Sequence, residues 1–424
     1  MNFRADADFA AELDRTDPLA GYREQFHIPQ HGDHDAIYLC GNSLGLQPKS
    51  TARYLEEELA DWKNLAVHAH TSGRRPWLRY HELLTEKTAR LVGAKPSEVV
   101  NMNSLTVNLH LMLVSFFRPD AARKAILMER GAFPSDRYAV VSQLRFHGLD
   151  PAQSLIELAP QHGADTISSE EIEHALAEHG ERIALVLLPG VQYYTGQSFD
   201  MARLTRAAHR AGALIGFDLA HATGNLLLQL HDWDADFAVW CNYKYVNGGP
   251  GAVAGCFVHA RHLGNYHLPR FAGWWGSDKS TRFKMPPDFA PMPTAESWQL
   301  SNPPILALAP VLASLDIFDT VGMPALRQKS LKLTGYLEWL LAQNLAGKVE
   351  SITPSAPEAR GCQLSLRLMC PNERARAAFR GLEAAGVVAD WREPDVIRVA
   401  PVPLYNTYTD IHRFVEILKE VLRK

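Results

Sequence analysis

Two short runs carry the chemistry that is most legible in this chain. Phe217-Asp218-Leu219-Ala220-His221 ends an apolar stretch in a carboxylate, and Asn242-Tyr243-Lys244-Tyr245 places a lysine just after the next one. A lysine amine can condense with an aldehyde, and a carboxylate can keep a pyridine nitrogen protonated so that the ring draws electrons. Together the pair suits pyridoxal 5'-phosphate (PLP). Taken singly, each residue also reads as an ordinary strand-end aspartate or a surface lysine.

Such a site needs three further parts: phosphate donors, a group stacked on the ring, and a grip on a substrate carboxylate. Leu105-Thr106-Val107-Asn108 opens a helix whose N–H groups and Thr106 hydroxyl suit a phosphate. Phe133-Pro134-Ser135-Asp136 offers an aromatic face at the start of another. Both segments also read as plain helix caps. Tyr243 is a further phosphate donor, and Asn247-Gly248-Gly249-Pro250-Gly251 lets the backbone turn tightly behind the lysine. Neither that run nor Gly41-Asn42-Ser43-Leu44-Gly45 is a nucleotide phosphate loop. Arg398 lies in the apolar segment Ile397-Arg398-Val399-Ala400-Pro401, where a guanidinium needs an anion. A substrate carboxylate and a structural ion pair both satisfy that need. His27, His31, His34, His68 and His70 fit no standard zinc spacing, and no serine or cysteine sits in a nucleophile motif.

The elements that must position these residues follow from hydrophobic patterning. Short apolar runs at 125–128, 154–158, 183–188, 213–218, 237–241 and 252–258 alternate with helical segments. Several are nearly continuous in Val, Ile, Leu and Ala, as strands buried on both faces require. Ser168 with Glu171 forms a capping box, and Asp200 caps a helix that stops at Gly212. This alternation predicts an α/β fold with a mainly parallel sheet, and ligands sit at the carboxyl ends of such strands. Residues 270–304, rich in Pro, Gly and Trp, read as a long irregular segment. Helix follows over 305–344, then strands at 363–369 and 396–399, a helix at 375–385 and a final one at 410–423. The expected division is an N-terminal arm over 1–60, a large α/β domain over 61–310 and a smaller α+β domain over 311–424.

Bulk properties exclude other classes. The balance of 43 basic against 47 acidic residues leaves a net charge of −4 without a basic block, which gives nucleic acid and membrane surfaces no electrostatic hold. The N-terminus lacks the apolar core of a signal peptide, and no apolar run spans a bilayer. Five cysteines without a C-x-x-C pair read as reduced, buried thiols of a cytoplasmic protein.

In order along nearly the whole chain, these motifs resemble those of the kynureninase family, fold-type I PLP enzymes related to the class V aminotransferases. The resemblance includes Leu39 to Lys49, Arg75-Pro76-Trp77, Tyr194-Thr195-Gly196-Gln197, Gly273-Trp274-Trp275-Gly276, Ser301-Asn302-Pro303-Pro304 and Arg398 to Asn406, besides the segments above. It implies hydrolytic Cβ–Cγ cleavage of L-kynurenine or 3-hydroxy-L-kynurenine, giving anthranilate or 3-hydroxyanthranilate and L-alanine. By the same resemblance Lys244 carries PLP and moves a proton beside Tyr243, Asp218 pairs with the ring nitrogen and Phe133 stacks on the ring. Leu105, Thr106, Pro134, Ser135, Asp136, His221 and Tyr243 line the cofactor. Trp274 and Asn302 reach it from a second subunit, which implies a homodimer. Arg398 and Ser43 hold the substrate, and His70, Ser301 and Asn302 resemble the polar set that favours the hydroxylated ring. Pro189-Gly190-Val191 has proline where relatives carry a hydroxyl, so no cofactor contact is expected there. Rival readings are a cysteine desulfurase or transaminase on the same fold, and a non-catalytic binding module; neither a mobile-loop cysteine nor a lost lysine favours them.

Overall fold

The computed structural model describes residues 3–423. Its largest sheet has seven strands in the order Val99–Asn101, Gly255–Val258, Phe237–Trp240, Leu214–Asp218, Ile183–Pro189, Ala125–Glu129 and Leu155–Leu158. The strands from Phe237–Trp240 to Leu155–Leu158 run parallel, while Gly255–Val258 is antiparallel to both its neighbours. Every residue of Ala125–Glu129 and Phe237–Trp240 is buried, which explains why all of them but the closing Glu129 are apolar. Gly216 lets strands pack closely: a Cβ there would lie 2.0 Å from the Phe237 ring.

Helices connect the parallel strands from Ala125–Glu129 to Leu214–Asp218, while turns alone lead on to Phe237–Trp240; the Ser168–Glu171 box and the Asp200 cap open two of these helices, Ser169–His179 and Met201–Arg210. Parallel strands deliver their carboxyl ends to one edge of the sheet. Glu129, Pro189 and Asp218 therefore stand side by side there, with Phe133 and Lys244 in the loops beyond.

A second, antiparallel sheet runs in the order Val349–Ser351, Leu364–Leu368, Val396–Val399, Asp390–Arg392. The helices Met323–Asn344, Asn372–Ala384 and Tyr408–Val421 share a separate apolar core with it, to which Ala10 of the helix Ala7–Arg15 also belongs. The amino-terminal segment is tied into this layer, since Ile37–Tyr38 pairs with Val387–Val388 and Cys40 bridges Ala400.

Several details differ from the sequence expectations. Val99–Asn101 was not anticipated as a strand; at three residues it forms only because Gly255–Val258 lies alongside. The expected run 252–258 enters the sheet only at Gly255. The helical stretch 305–344 is two helices, Ile305–Val321 and Met323–Asn344, bent by 83° at Gly322, whose φ of 75° suits a residue without a side chain. Cys241, Cys256 and Cys362 are buried, but Cys40 and Cys370 are half-buried; all five are free. Among the described residues no single helix is long and apolar enough to cross a membrane.

Candidate active site

At the carboxyl edge of the large sheet lies a cavity. Its lining includes Leu105, Thr106, Phe133, Ser135, Asp136, Asp218, His221, Tyr243 and Lys244, so the sheet brings together residues spread over more than a hundred positions. Lys244 Nζ stands 3.0 Å from His221 Nε2, 5.8 Å from the Phe133 ring centroid and 5.9 Å from that of Tyr243. An ammonium can only donate, so His221 Nε2 accepts and Nδ1 carries the hydrogen. Burial, and then the charge of Lys244, push the imidazole's pKa well down, which keeps it neutral. Its Nδ1 is buried without a protein partner.

The carboxyls of the cavity are also perturbed. Asp218 is 6% exposed; burial raises its pKa, against a hydrogen bond from the Ala220 N–H at 2.7 Å and the nearby lysine. Asp136 is raised further, by burial and then by the Asp218 charge, and its Oδ1 has no partner. Glu129 is pushed up to about 8 by burial, partly offset by a hydrogen bond from Gln192. Burial likewise raises the Tyr243 phenol, which keeps its proton at neutral pH.

These features fit PLP. Thr106 Oγ1 and Ser135 Oγ lie 2.8 Å apart at the first turns of the helices Leu105–Phe116 and Pro134–Phe146, so two hydroxyls and two helix amino-termini converge where a phosphate could sit. At the other end the partnerless Asp136 and His221 atoms, with Asp218, offer polar groups to a heteroaromatic ring. Phe133, 45% exposed, lines the cavity with Lys244 Nζ over its ring.

Arg398 stands behind one wall of the cavity. It is 1% exposed and donates to the Tyr193 carbonyl at 2.6 Å, to Asp390 at 2.8 Å and 3.1 Å, and to Ser43 Oγ at 3.4 Å. Ser43 also donates to Asp390 at 2.8 Å. Burial acts to raise the Asp390 pKa, but Arg398 outweighs it and holds the carboxylate ionised. Arg398 thus has the ion pair that one reading required, while its fork remains one ring away from the cavity: the Tyr193 ring lies 6.0 Å from the guanidinium and edge-on to Phe133 at 5.4 Å.

Seven residues singled out in sequence lie outside this chain's own cavity lining: Arg398, Ser43 and Pro134, and, farther from it in their contacts, His70, Trp274, Ser301 and Asn302. His70 donates from Nδ1 to the Val67 carbonyl, 3.0 Å away, and packs edge-on to Trp77. Trp274 is 41% exposed beside Trp275 and Phe283, and Ser301 and Asn302 are exposed. Conversely, the turn expected to stand apart from the cofactor contributes both Pro189 and Val191 to the lining, because Ile183–Pro189 ends at that edge. Sequence reasoning also missed Glu129, Tyr193, Ala220 and Asp390. Glu129 left a trace, an acid closing an otherwise apolar strand, and Ala220 stands within the Asp218 run and bonds to it locally; Tyr193 and Asp390 depend on contacts between distant segments. Two groups, Glu98 with His231 and His259, and His81 with Glu82 and Glu296, bring possible metal ligands within 4.8 Å. In the first, Glu98 already accepts from the Lys95 and Ala260 N–H groups and contacts His231. In the second, Lys279 bridges both glutamates.

Comparison with known proteins agrees with this geometry. Residues 37–368 match the family model for class V aminotransferases, and residues 326–418 match the kynureninase C-terminal domain. Among solved structures, a C-DES mutant with glycine covalently linked to its PLP cofactor has a TM-score of 0.76 at 18% identity, covering 93% of this chain and 98% of that one. A cysteine desulfurase from Thermococcus onnurineus NA1 gives 0.73 at 15%, covering 97% and 98%. At such identities these two speak for the fold alone. The fold and the cavity therefore define a PLP-dependent enzyme of the class V aminotransferase type.

Curated relatives narrow this further. Kynureninase from Stenotrophomonas maltophilia (strain K279a) is 59% identical over 407 residues, 96% of each chain, and kynureninase from Koribacter versatilis (strain Ellin345) is 56% identical over 415, covering 98% and 97%. The chain belongs to the kynureninase family.

Proposed function

We propose that this protein is a kynureninase, a PLP-dependent hydrolase that cleaves the Cβ–Cγ bond of L-kynurenine or its 3-hydroxy derivative. Water enters, and the aromatic acid and L-alanine leave. The observation that carries the reading is Lys244 set between His221, Phe133 and Asp218 in a chain 59% identical to a kynureninase.

PLP, when bound, supplies an electron sink for negative charge at the substrate's α-carbon. The protein's own groups do the rest. Lys244 holds the cofactor and then moves the α-proton, oriented by the neutral His221 imidazole 3.0 Å away. Asp218 keeps a proton at the ring-nitrogen end, and Phe133 covers the ring face. Leu105, Thr106, Pro134 and Ser135 hold the phosphate end and the rim, Asp136 stands with Asp218 at the ring end, and the protonated Tyr243 hydroxyl donates. Arg398, preset by Asp390 and Ser43, grips the α-carboxylate. Trp274 and Asn302, exposed here, would complete the site of a second subunit in a homodimer.

The finer proposal is a preference for 3-hydroxykynurenine, with His70, Ser301 and Asn302 receiving the ring hydroxyl across the same subunit boundary. A site that hydrogen-bonds a hydroxyl discriminates strongly against its absence.

The test is a side-by-side assay of both substrates, quantifying aromatic acid and alanine. Equal molar yields that vanish in Lys244→Ala support the reading. Interconversion of amino and keto acids, or no product despite bound PLP, would overturn it. For the preference, His70→Trp should lower the kcat/KM ratio of the hydroxylated to the plain substrate by about tenfold; an unchanged ratio refutes it.

A further inference from the structure

The segment Gln192-Tyr193-Tyr194-Thr195-Gly196-Gln197 lies between the strand Ile183–Pro189 and the helix Met201–Arg210 and is hydrogen-bonded to residues in and beside the second sheet. Gln192 Oε1 accepts from the N–H groups of Tyr194 and Thr195, at 2.6 Å and 2.8 Å. Two such donors fix the amide's orientation, so Nε2 must point the other way. There it donates to the Gly131 carbonyl at 3.1 Å and to Glu129 Oε1 at 3.3 Å. Outward, the carbonyls of the turn are taken one by one by the second sheet: Tyr194 by Ser365, Thr195 by Thr353, and Tyr193 by Gln363 at 3.0 Å and Arg398 at 2.6 Å.

A continuous chain of contacts thus runs from a carboxyl in the cofactor cavity to the buried guanidinium. Glu129 holds Gln192, Gln192 fixes the turn, and the turn presents the Tyr193 carbonyl that anchors Arg398. Gln192 is itself 7% exposed and lies outside the cavity lining, so it touches neither cofactor nor substrate directly. Tyr193, by contrast, lines the cavity, and its ring separates Phe133 from Arg398.

We propose that Gln192, seated on Glu129, is a positioning residue that aims Arg398 at the substrate carboxylate. The inference rests on the reading of Arg398 as the carboxylate grip. Loss of Gln192 frees two N–H groups and lets the Tyr193 carbonyl drift, while the cofactor's own contacts stay in place.

The experiment uses the PLP-loaded protein and three readouts: kcat and KM for the preferred substrate, the Kd of L-alanine from the cofactor's absorption, and the Kd of PLP itself. Gln192→Leu should raise KM and the alanine Kd about tenfold, a change of about 1.4 kcal/mol, with kcat and PLP affinity held within about twofold. Glu129→Leu should reproduce the rise in KM and alanine Kd of Gln192→Leu, and Glu129→Gln, which keeps an acceptor oxygen for Gln192, should raise them less than Glu129→Leu does. This pair also carries the test if Gln192→Leu does not accumulate as folded protein. In an Arg398→Lys background, Gln192→Leu should add less than about twofold, since coupled residues are not additive. Equal KM effects in both backgrounds, or a loss confined to PLP affinity, would overturn the inference and leave Arg398's role intact. If Arg398→Lys alone leaves KM and alanine binding unchanged, the grip reading falls and this inference with it.

Discussion

Glu129 gives the sharpest physical test of the site. It is 3% exposed, closes the strand Ala125–Glu129, and has Gln192 as its hydrogen-bond partner at 3.3 Å. Burial lifts its pKa from an ordinary 4.5 to about 8, and the Gln192 bond offsets only part of this. The unfolded chain therefore releases the proton near 4.5, whereas the folded protein keeps it to about 8. Within that window the folded state binds more protons, so stability falls as pH rises. The penalty is absent below 4.5 and complete above 8. At about 1.4 kcal/mol per pH unit, the stability lost between pH 5 and pH 8 is about 3.5 kcal/mol. Glu129→Gln has no proton to lose and should abolish this slope. Urea unfolding of both proteins across pH 5–8 measures it as a widening gap in favour of the variant. A protonated-carboxyl stretch in the infrared spectrum at pH 7, missing from Glu129→Gln, gives an independent check. Parallel stability curves across that range, with no difference in the carboxyl stretch, would refute the claim that Glu129 is held neutral.

Two further outcomes follow from the geometry. Asp390→Asn weakens the charge-assisted hold on Arg398, so KM should rise about tenfold with kcat largely kept; unchanged steady-state constants would show that Arg398 aims itself. Gly45→Ala places a Cβ 2.3 Å from both the Lys244 carbonyl and Asn247 Oδ1. Since backbone cannot yield as a side-chain tip can, the lysine should shift, at a cost of about 1–3 kcal/mol. Visible absorbance per mole of purified protein would fall, whereas full PLP occupancy with normal turnover would refute the clash.

Much of this protein was legible in its sequence for local reasons. Short apolar runs, several of them nearly continuous, mark strands of a buried sheet, so six strands of the large sheet were readable, although Leu155–Leu158 at its edge is only half-buried. Ser168 with Glu171, and Asp200, marked helix starts because a cap is made by neighbours in sequence. Asp218 and Lys244 were readable because each follows such a strand, and parallel strands must deliver their ends to one edge. Tertiary structure decided what no local pattern encodes. Val99–Asn101 is a strand only through its partner, and Asp390 becomes the counter-ion of Arg398 because antiparallel pairing sets the two residues opposite each other. Pro189 and Val191 line the cavity because of where their strand stops. Glu129 shows in sequence only as an acid closing an apolar strand; the closing of sheet, helix and turn around it is what excludes water and keeps its proton in place.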